Sequence, residues 1–535
     1  MTSLPMQSTG SRSQLRQLGL QASRLPVAEI GCVGSVLIML GSFGAGAVRY
    51  QGGPLRALGW ENMAYGHGGG ISNAVLWGGL IALVSAWLLL GYQLRIGTSH
   101  QKMSTILSMW TLPLVFAGPL LSRDVYSYLM QGAMVRDGFD PYTQGAAVNP
   151  GPFLLEVSHD WRNTTTPYGP VHLFIGRVIT GLTGDHVSAG VICYKVVSLA
   201  GFAMIAWAVV RIAQHLDASA SWALWMGVAN PVVLLHMVGG MHNESVMVGL
   251  VSVAIVLVLP LALPRSPAQD AISARSSSVW RVAGAVILIG VAVALKATAI
   301  IAFPFLVWMA VAPRLRDTGS TYQQIGRFFA IAAAMTIWLG AVIVGVTVVT
   351  GSSWGWVAEL SGNSKVINPL AFPSLVAGLL KPVGLLIDPT FSYNQLLDLA
   401  RTVSSGLMVI GLVVMWWLAR RGGLNHVRGI IAAYTVALFF NSVTLPWYFA
   451  SPLSLAGTAH LPVWAQRTVV TLSTVVALTF TGSGNHKLYQ LPLVITLALI
   501  GYGAARVIVP RRALKRPLPG RDAALLGPDD PAARR

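Results

Sequence analysis

The chain has 535 residues, 54% of them apolar and only 10% charged, and its 36 Lys and Arg against 18 Asp and Glu give a formal net charge of +18. A soluble domain carries roughly 25% charged residues, so this composition cannot solvate a globule of such size, and its hydrophobicity excludes disorder. A polytopic membrane protein remains. Nucleic acid would need the positive charge gathered on a soluble face.

In chain order, residues 1–26 are polar, carry Arg12, Arg16 and Arg24, and hold no apolar run. They read as a cytoplasmic tail before an uncleaved span, not as a signal peptide. Apolar runs that cross about 30 Å of hydrocarbon, or nearly so, follow near 27–48, 74–94, 105–121, 187–211, 218–238, 245–263, 280–296, 298–313, 328–350, 400–419, 429–445, 448–461, 465–481 and 489–509. That predicts about fourteen transmembrane helices in an all-α body over 27–509, followed by a basic tail at 510–535. The stretches 280–313 and 429–461 are each divided in two, with Pro304 and the Pro446 turn favouring division over one tilted helix. Cys32 and Cys193 lie in apolar runs, which argues against a disulfide framework and a thiolate metal site.

With the N-terminus inside, the inner segments 1–26, 95–104, 211–217, 264–281, 314–327, 420–428 and 510–535 hold 22 Lys and Arg against 6 acids, and the outer segments 11 against 11. The positive-inside rule then places both termini in the cytoplasm. The net charge is thus a topology signal and calls for no nucleic acid. Two outer loops, 122–186 and 351–399, are too long to be turns, and loops of that length are usually functional. Their apolar stretches 168–183 and 369–387 suit interfacial helices better than further spans.

The first loop holds Asp124, Asp137, Asp140, Glu156 and Asp160, a density well above that of the chain. If 123–136 is helical, Asp124, Ser127, Tyr128 and Gln131 share one face. That describes a helix at the interface, its polar face toward the outer aqueous side. It would hold a carboxylate where a lipid-linked headgroup emerges, able to act as general base, although a helix N-terminal acid is also favoured by the macrodipole alone. Gly-Phe-Asp-Pro-Tyr (138–142) and Thr-Pro-Tyr-Gly-Pro (166–170) are turn sequences whose Asp140, Tyr142 and Tyr168 are candidate sugar contacts or interfacial belting. Gly-Gly-Met-His-Asn-Glu (239–244) brings His242 and Glu244 to an outer span end, as ligands for a hydroxyl or as a helix cap at Asn243. Lys296 lies between two apolar runs, at a depth where a cation is usually paired, with phosphate or with carboxylate. Trp447 and Tyr448 stand at another outer junction, and Lys487 in a small Gly-containing outer loop with His486. No HExxH pattern or close ligand cluster points to a metal, and no phosphate-binding glycine pattern to a nucleotide cofactor.

These segments resemble a known family. Asp-Val-Tyr-Ser-Tyr (124–128), Asp-Pro-Tyr (140–142), Pro-Tyr-Gly-Pro (167–170) and Met-His-Asn-Glu (241–244), on a polytopic core with an acidic first outer loop, resemble GT-C glycosyltransferases. Within that class they are similar to the actinobacterial polyprenol-phosphomannose-dependent α-1,6-mannosyltransferases, over roughly residues 27–510. The resemblance implies a polyprenyl-phosphate mannose donor, a lipid-anchored α-1,6-mannan acceptor of the lipomannan type, and a site on the outer face of the plasma membrane. It implies Asp124 as the catalytic carboxylate, a single one sufficing for an inverting transfer whose phosphate leaving group needs no general acid. Positive charge for that phosphate would come from Arg123, Arg136, Lys296, Lys365 or Lys487, with Lys296 first and Arg123 next. Two alternatives stand beside this: the same chemistry with another lipid-linked sugar such as arabinofuranose, or a transporter of lipid-linked saccharide. The latter usually carries its polar groups on broken helices at the midplane.

Overall fold

The computed structural model describes residues 21–99, 101–262, 272–315, 320–359, 367–422 and 424–511. Most of both expected tails, part of the basic segment 264–281, and Lys365 lie outside the described residues. Within them the only regular element is the helix, apart from one antiparallel bridge between Phe480 and His486 that closes a loop.

Eight described helices are long and apolar enough to cross a bilayer: Val27–Ala45, Gly66–Ile96, Val187–His215, Glu244–Ala262, Ser278–Leu295, Thr321–Thr350, Tyr393–Leu418 and Leu491–Ile508. A ninth is a broken span, Ala220–Val228 and Pro231–Gly239, bent by 53°. Asn230 sits at the break, where its side chain accepts from the Val232 N–H and its amide bonds Ser473. The expected fourteen spans are not all full-length helices. The runs at 105–121, 298–313, 448–461 and 465–481 become Met103–Phe116, Phe303–Leu315, Ala450–Ala456 and Val463–Ala477. Apolar runs of this length often belong to buried helices rather than spans, and all seven residues of Ala450–Ala456 are buried in protein.

Both predicted divisions are present. The first falls at Lys296, whose extended backbone separates the helix ending at Leu295 from the 3-10 turn Ala297–Ala302. Pro304 stands in the first turn of the next helix, Phe303–Leu315, where its missing N–H breaks no bond. The second falls at Pro446, before the 3-10 turn Pro446–Phe449.

Burial separates centre from rim. Two thirds of the most apolar window of Glu244–Ala262 is buried, but only 11% of that of Thr321–Thr350 and 6% of that of Tyr393–Leu418. Unburied helices this apolar require lipid as solvent, so the chain is a multi-pass membrane protein. Its two ends are distinct. Segments assigned to one side by the charge count meet at one end: Gln93 donates to Ala22 and Leu25, Arg95 to Val507, Arg428 to Ala459 and His460, and His460 contacts the Leu216 carbonyl. The segments assigned to the other side gather at the opposite end and form the site.

Candidate active site

Helix Asp124–Arg136 is present as predicted, but its polar face is turned largely into protein. Nine of its thirteen residues are buried, Ser127 and Tyr128 among them. The cause is a backbone-to-backbone contact with helix Pro170–Thr183: a Cβ on Gly132 would stand 2.2 Å from the Gly176 carbonyl carbon. Only glycine permits that approach, and it turns the Tyr128 face onto the second helix.

The segment entering this helix is held under strain. Leu121 takes a left-handed conformation with φ of 60°, as does Met241 (φ 55°) before the facing His242. Each costs on the order of 1–3 kcal/mol and persists only where the surroundings over-determine it. Here the loop after Phe480 does so, because Gly482 accepts from the Leu121 N–H at 2.7 Å. Ser122 then accepts from the Asp124 N–H.

Asp124 and His242 consequently meet across the site, carboxylate oxygen to Nδ1 at 3.5 Å. His242 is fully buried, its ring stacked on Trp447 at 3.8 Å between centroids, whereas the Asp124 side chain keeps 15% exposure. The carboxylate therefore remains open to an incoming group. Burial alone would raise its pKa, but His242, the Ser122 hydroxyl and the Lys296 charge together hold it below the ordinary carboxylate range.

Beside this pair, Lys296 forms an ion pair with the buried Glu244. Its ammonium lies 4.4 Å from the Tyr448 ring centroid and 5.4 Å from that of Tyr168. Tyr168 stands against Lys296 because the Gly169 N–H bonds the Leu295 carbonyl. Tyr128 packs edge-on to both Tyr168 and His172. The structure thus unites Asp124, Tyr128, Tyr168, His242, Glu244, Lys296, Trp447 and Tyr448 from five separated stretches of chain.

Four other candidates stand elsewhere. Arg123 is committed to structure: it donates to Glu156 through both backbone carbonyl and carboxylate and to the Val48 carbonyl, and stacks on Tyr50. Asp140 accepts from the Tyr142 N–H and the Ser353 hydroxyl, and Tyr142 is buried against Gly355. Those two residues dock the first outer loop onto the second, where Thr165 also bonds Glu359. Lys487 lies over the Trp77 ring, without a carboxylate partner among the described residues, on the loop that braces Leu121. The remaining acids of the first loop are occupied too: Asp137 by Arg136, Asp160 by His159, Glu156 by Arg123.

Other residues at the site were not singled out from the sequence. His172 bridges Gln131 and Asn243 through its two ring nitrogens, and burial, with the Lys296 charge, pushes it down to about 3, so it is neutral. His236 packs 5.5 Å from His242. Lys195, inside a span, donates to the carbonyls of Leu114, Val238 and Gly239. It thereby ties the helix end before Asp124 to the one before His242. The available signal was a titratable residue within an apolar helix, which is costly unless it has a function.

A family model described as alpha-(1→6)-mannopyranosyltransferase, N-terminal domain, matches residues 28–312, and the MptB C-terminal domain matches 373–510. The chain is 50% identical over 489 residues to alpha-(1→6)-mannopyranosyltransferase A of Corynebacterium glutamicum, covering 88% of this chain and 96% of that protein. It is 35% identical to alpha-(1→6)-mannopyranosyltransferase A of Mycobacterium tuberculosis, with 86% of each covered. An Archaeoglobus fulgidus oligosaccharyltransferase structure aligns at 14% identity and a TM-score of 0.35, over 80% of this chain and 56% of that one. That last likeness is too low to bear on the fold. The two strained segments, the Asp124–His242 pair and the Lys296–Glu244 pair all fall within residues 28–312, the stretch on which the match rests, and the chain belongs to the alpha-(1→6)-mannopyranosyltransferase family of membrane glycosyltransferases.

Proposed function

We propose that this chain transfers mannose, with inversion, from polyprenyl-phosphate mannose to an α-1,6-mannan chain of a lipid-anchored glycan, on the outer face of the plasma membrane. The observation that carries the proposal is Asp124: of the five acids in residues 122–170, it is the one whose carboxylate meets His242 beside the Lys296–Glu244 pair, whereas Asp137, Asp140, Glu156 and Asp160 are engaged within the outer loops. In the transfer, the acceptor hydroxyl passes its proton to the Asp124 carboxylate as its oxygen attacks the anomeric carbon. The bond from that carbon to the phosphate oxygen breaks, and polyprenyl phosphate leaves with the electron pair. His242 and Ser122 hold the carboxylate in its charged form.

The leaving phosphate needs positive charge. Lys296 supplies it beside the reacting centre, with Glu244 fixing the ammonium over Tyr448 and Tyr168. Because Glu244 already offsets that charge, Lys487 is assigned as a second cation in place of Arg123. Tyr168, Trp447 and Tyr448 offer aromatic faces to the sugar.

The test is mannose transfer from synthetic polyprenyl-phosphate mannose by the purified chain in detergent. Asp124→Asn is expected to remain folded and to lose transfer by at least a hundredfold. Full activity in that variant would remove Asp124 from the base role. Product formed without a sealed membrane excludes pure translocation, and polyprenyl-phosphate arabinofuranose run in parallel decides the donor sugar.

A further inference from the structure

Beyond the cluster around Asp124, a second cleft opens along the same helix, lined by Ser127, Gln131, Gln144, Trp161, Thr164 and Thr166. Its floor is Met130, Met134 and Val157, all buried in the packing of the first outer loop. We infer that this cleft is the acceptor subsite, binding the neutral hexose one unit behind the sugar whose hydroxyl reacts at Asp124. The inference rests on the proposed function and extends it to residues that neither family resemblance nor motif assigns.

Three features argue for it. The first is position. Ser127 and Gln131 lie on the Asp124 face, about 4.5 Å and 10.5 Å along the helix axis from it. An acceptor presenting its terminal hydroxyl to Asp124 lays its next sugar over them.

The second is chemistry. Among the described residues no charged side chain lines the cleft, whereas the Lys296–Glu244 pair stands beside the reacting carboxylate and outside the cleft lining. A phosphate-bearing donor belongs with the charges and a neutral glycan with hydroxyls and amides. Aromatic and thioether surface suits the C–H face of a pyranose, and the polar groups above it suit its hydroxyls.

The third is unsatisfied polarity. The Ser127 hydroxyl is buried without a hydrogen-bond partner, which is costly unless a ligand or water completes it. The carbonyl oxygen of Gln131 is taken by His172 and that of Gln144 by the Asp140 N–H, so each amide is left to present its NH2 as donor.

The experiment uses the full chain in detergent, with synthetic polyprenyl-phosphate mannose as donor and octyl α-mannoside or octyl α-1,6-dimannoside as acceptor. Wild type is expected to show the lower KM for the dimannoside. Trp161→Ala raises that KM about tenfold, leaves the octyl mannoside KM within twofold, and leaves the donor KM unchanged. Trp161→Phe restores the preference. Gln144→Ala, on the exposed rim and independent of core packing, raises the dimannoside KM about threefold. An equal rise for both acceptors, a rise in donor KM, or a length preference unchanged in both Trp161→Ala and Gln144→Ala would overturn the subsite while leaving the mannosyltransferase reading intact. Absence of any transfer by wild type would overturn that reading, and the subsite with it.

Discussion

Arg123 adjoins the proposed base, so its replacement discriminates sharply between a phosphate ligand and a structural clamp. Its guanidinium makes three hydrogen bonds of 2.7–3.0 Å, two to Glu156 and one to Val48, and the two side chains are 13% and 1% exposed. Removing one partner of a buried pair costs about 3–5 kcal/mol, because the other charge is left uncompensated. Here the low end applies, since the Tyr50 and Gln51 N–H groups still donate to Glu156 and Arg49 stands at 4.0 Å. Arg123→Met is therefore expected to lose about 3 kcal/mol. At roughly 2 °C or less per kcal/mol for a chain of this length, the melting midpoint in detergent falls by about 5 °C. Pairing it with Glu156→Gln tests the origin of the loss: the double variant should recover about 1–3 kcal/mol relative to the sum of the singles. Transfer by Arg123→Met at low temperature should show a reduced kcat, as Asp124 shifts, with an unaltered donor KM. A variant that melts like wild type while its donor KM rises tenfold or more would refute this reasoning and return Arg123 to the phosphate.

Other expectations follow from the same geometry. Lys195→Met removes the donor joining Leu114 to Val238 and Gly239, so kcat should fall at least tenfold with little change in either KM, since a misplacement of about 1 Å is enough to cost that much. Lys296→Met leaves Glu244 buried and unpaired and should lower stability by about 3–5 kcal/mol, whereas Lys296→Met with Glu244→Leu should regain most of it but remain inactive; thermal melts and transfer assays check both. The Asp124 carboxyl is held low, so kcat/KM should stay level from neutral pH down to about 5 and decline only near or below the ordinary Asp value of about 3.9; a midpoint near 6 would contradict it. In the same sense, the contribution of this carboxylate to stability is present above the unfolded-state value and is lost as pH falls through the lower folded one.

Hydropathy, proline and loop charge are local properties, and what depends on them was legible in the chain itself. The all-helical multi-pass body, the divisions at 280–313 and 429–461, and a helix beginning at Asp124 all follow from residues adjacent in sequence. The number of full-length spans was not legible in the same way. A run such as 448–461 is as apolar as a span, and only packing decides that Ala450–Ala456 is a buried helix of seven residues. The allocation of charges was likewise beyond composition. Glu156 selects Arg123 from 33 positions away and Glu244 selects Lys296 from 52, while Ser353 reaches Asp140 across 213. No spacing rule connects such pairs. The helix Asp124–Arg136 shows the division most plainly: its polar stripe was readable at helical spacing, but the glycine contact that buries Tyr128 and leaves Ser127 and Gln131 along a cleft exists only once two helices meet. Sequence determines which groups a helix offers on each face; the tertiary structure decides which of those faces meets water, protein or substrate, because burial is a property of the neighbours.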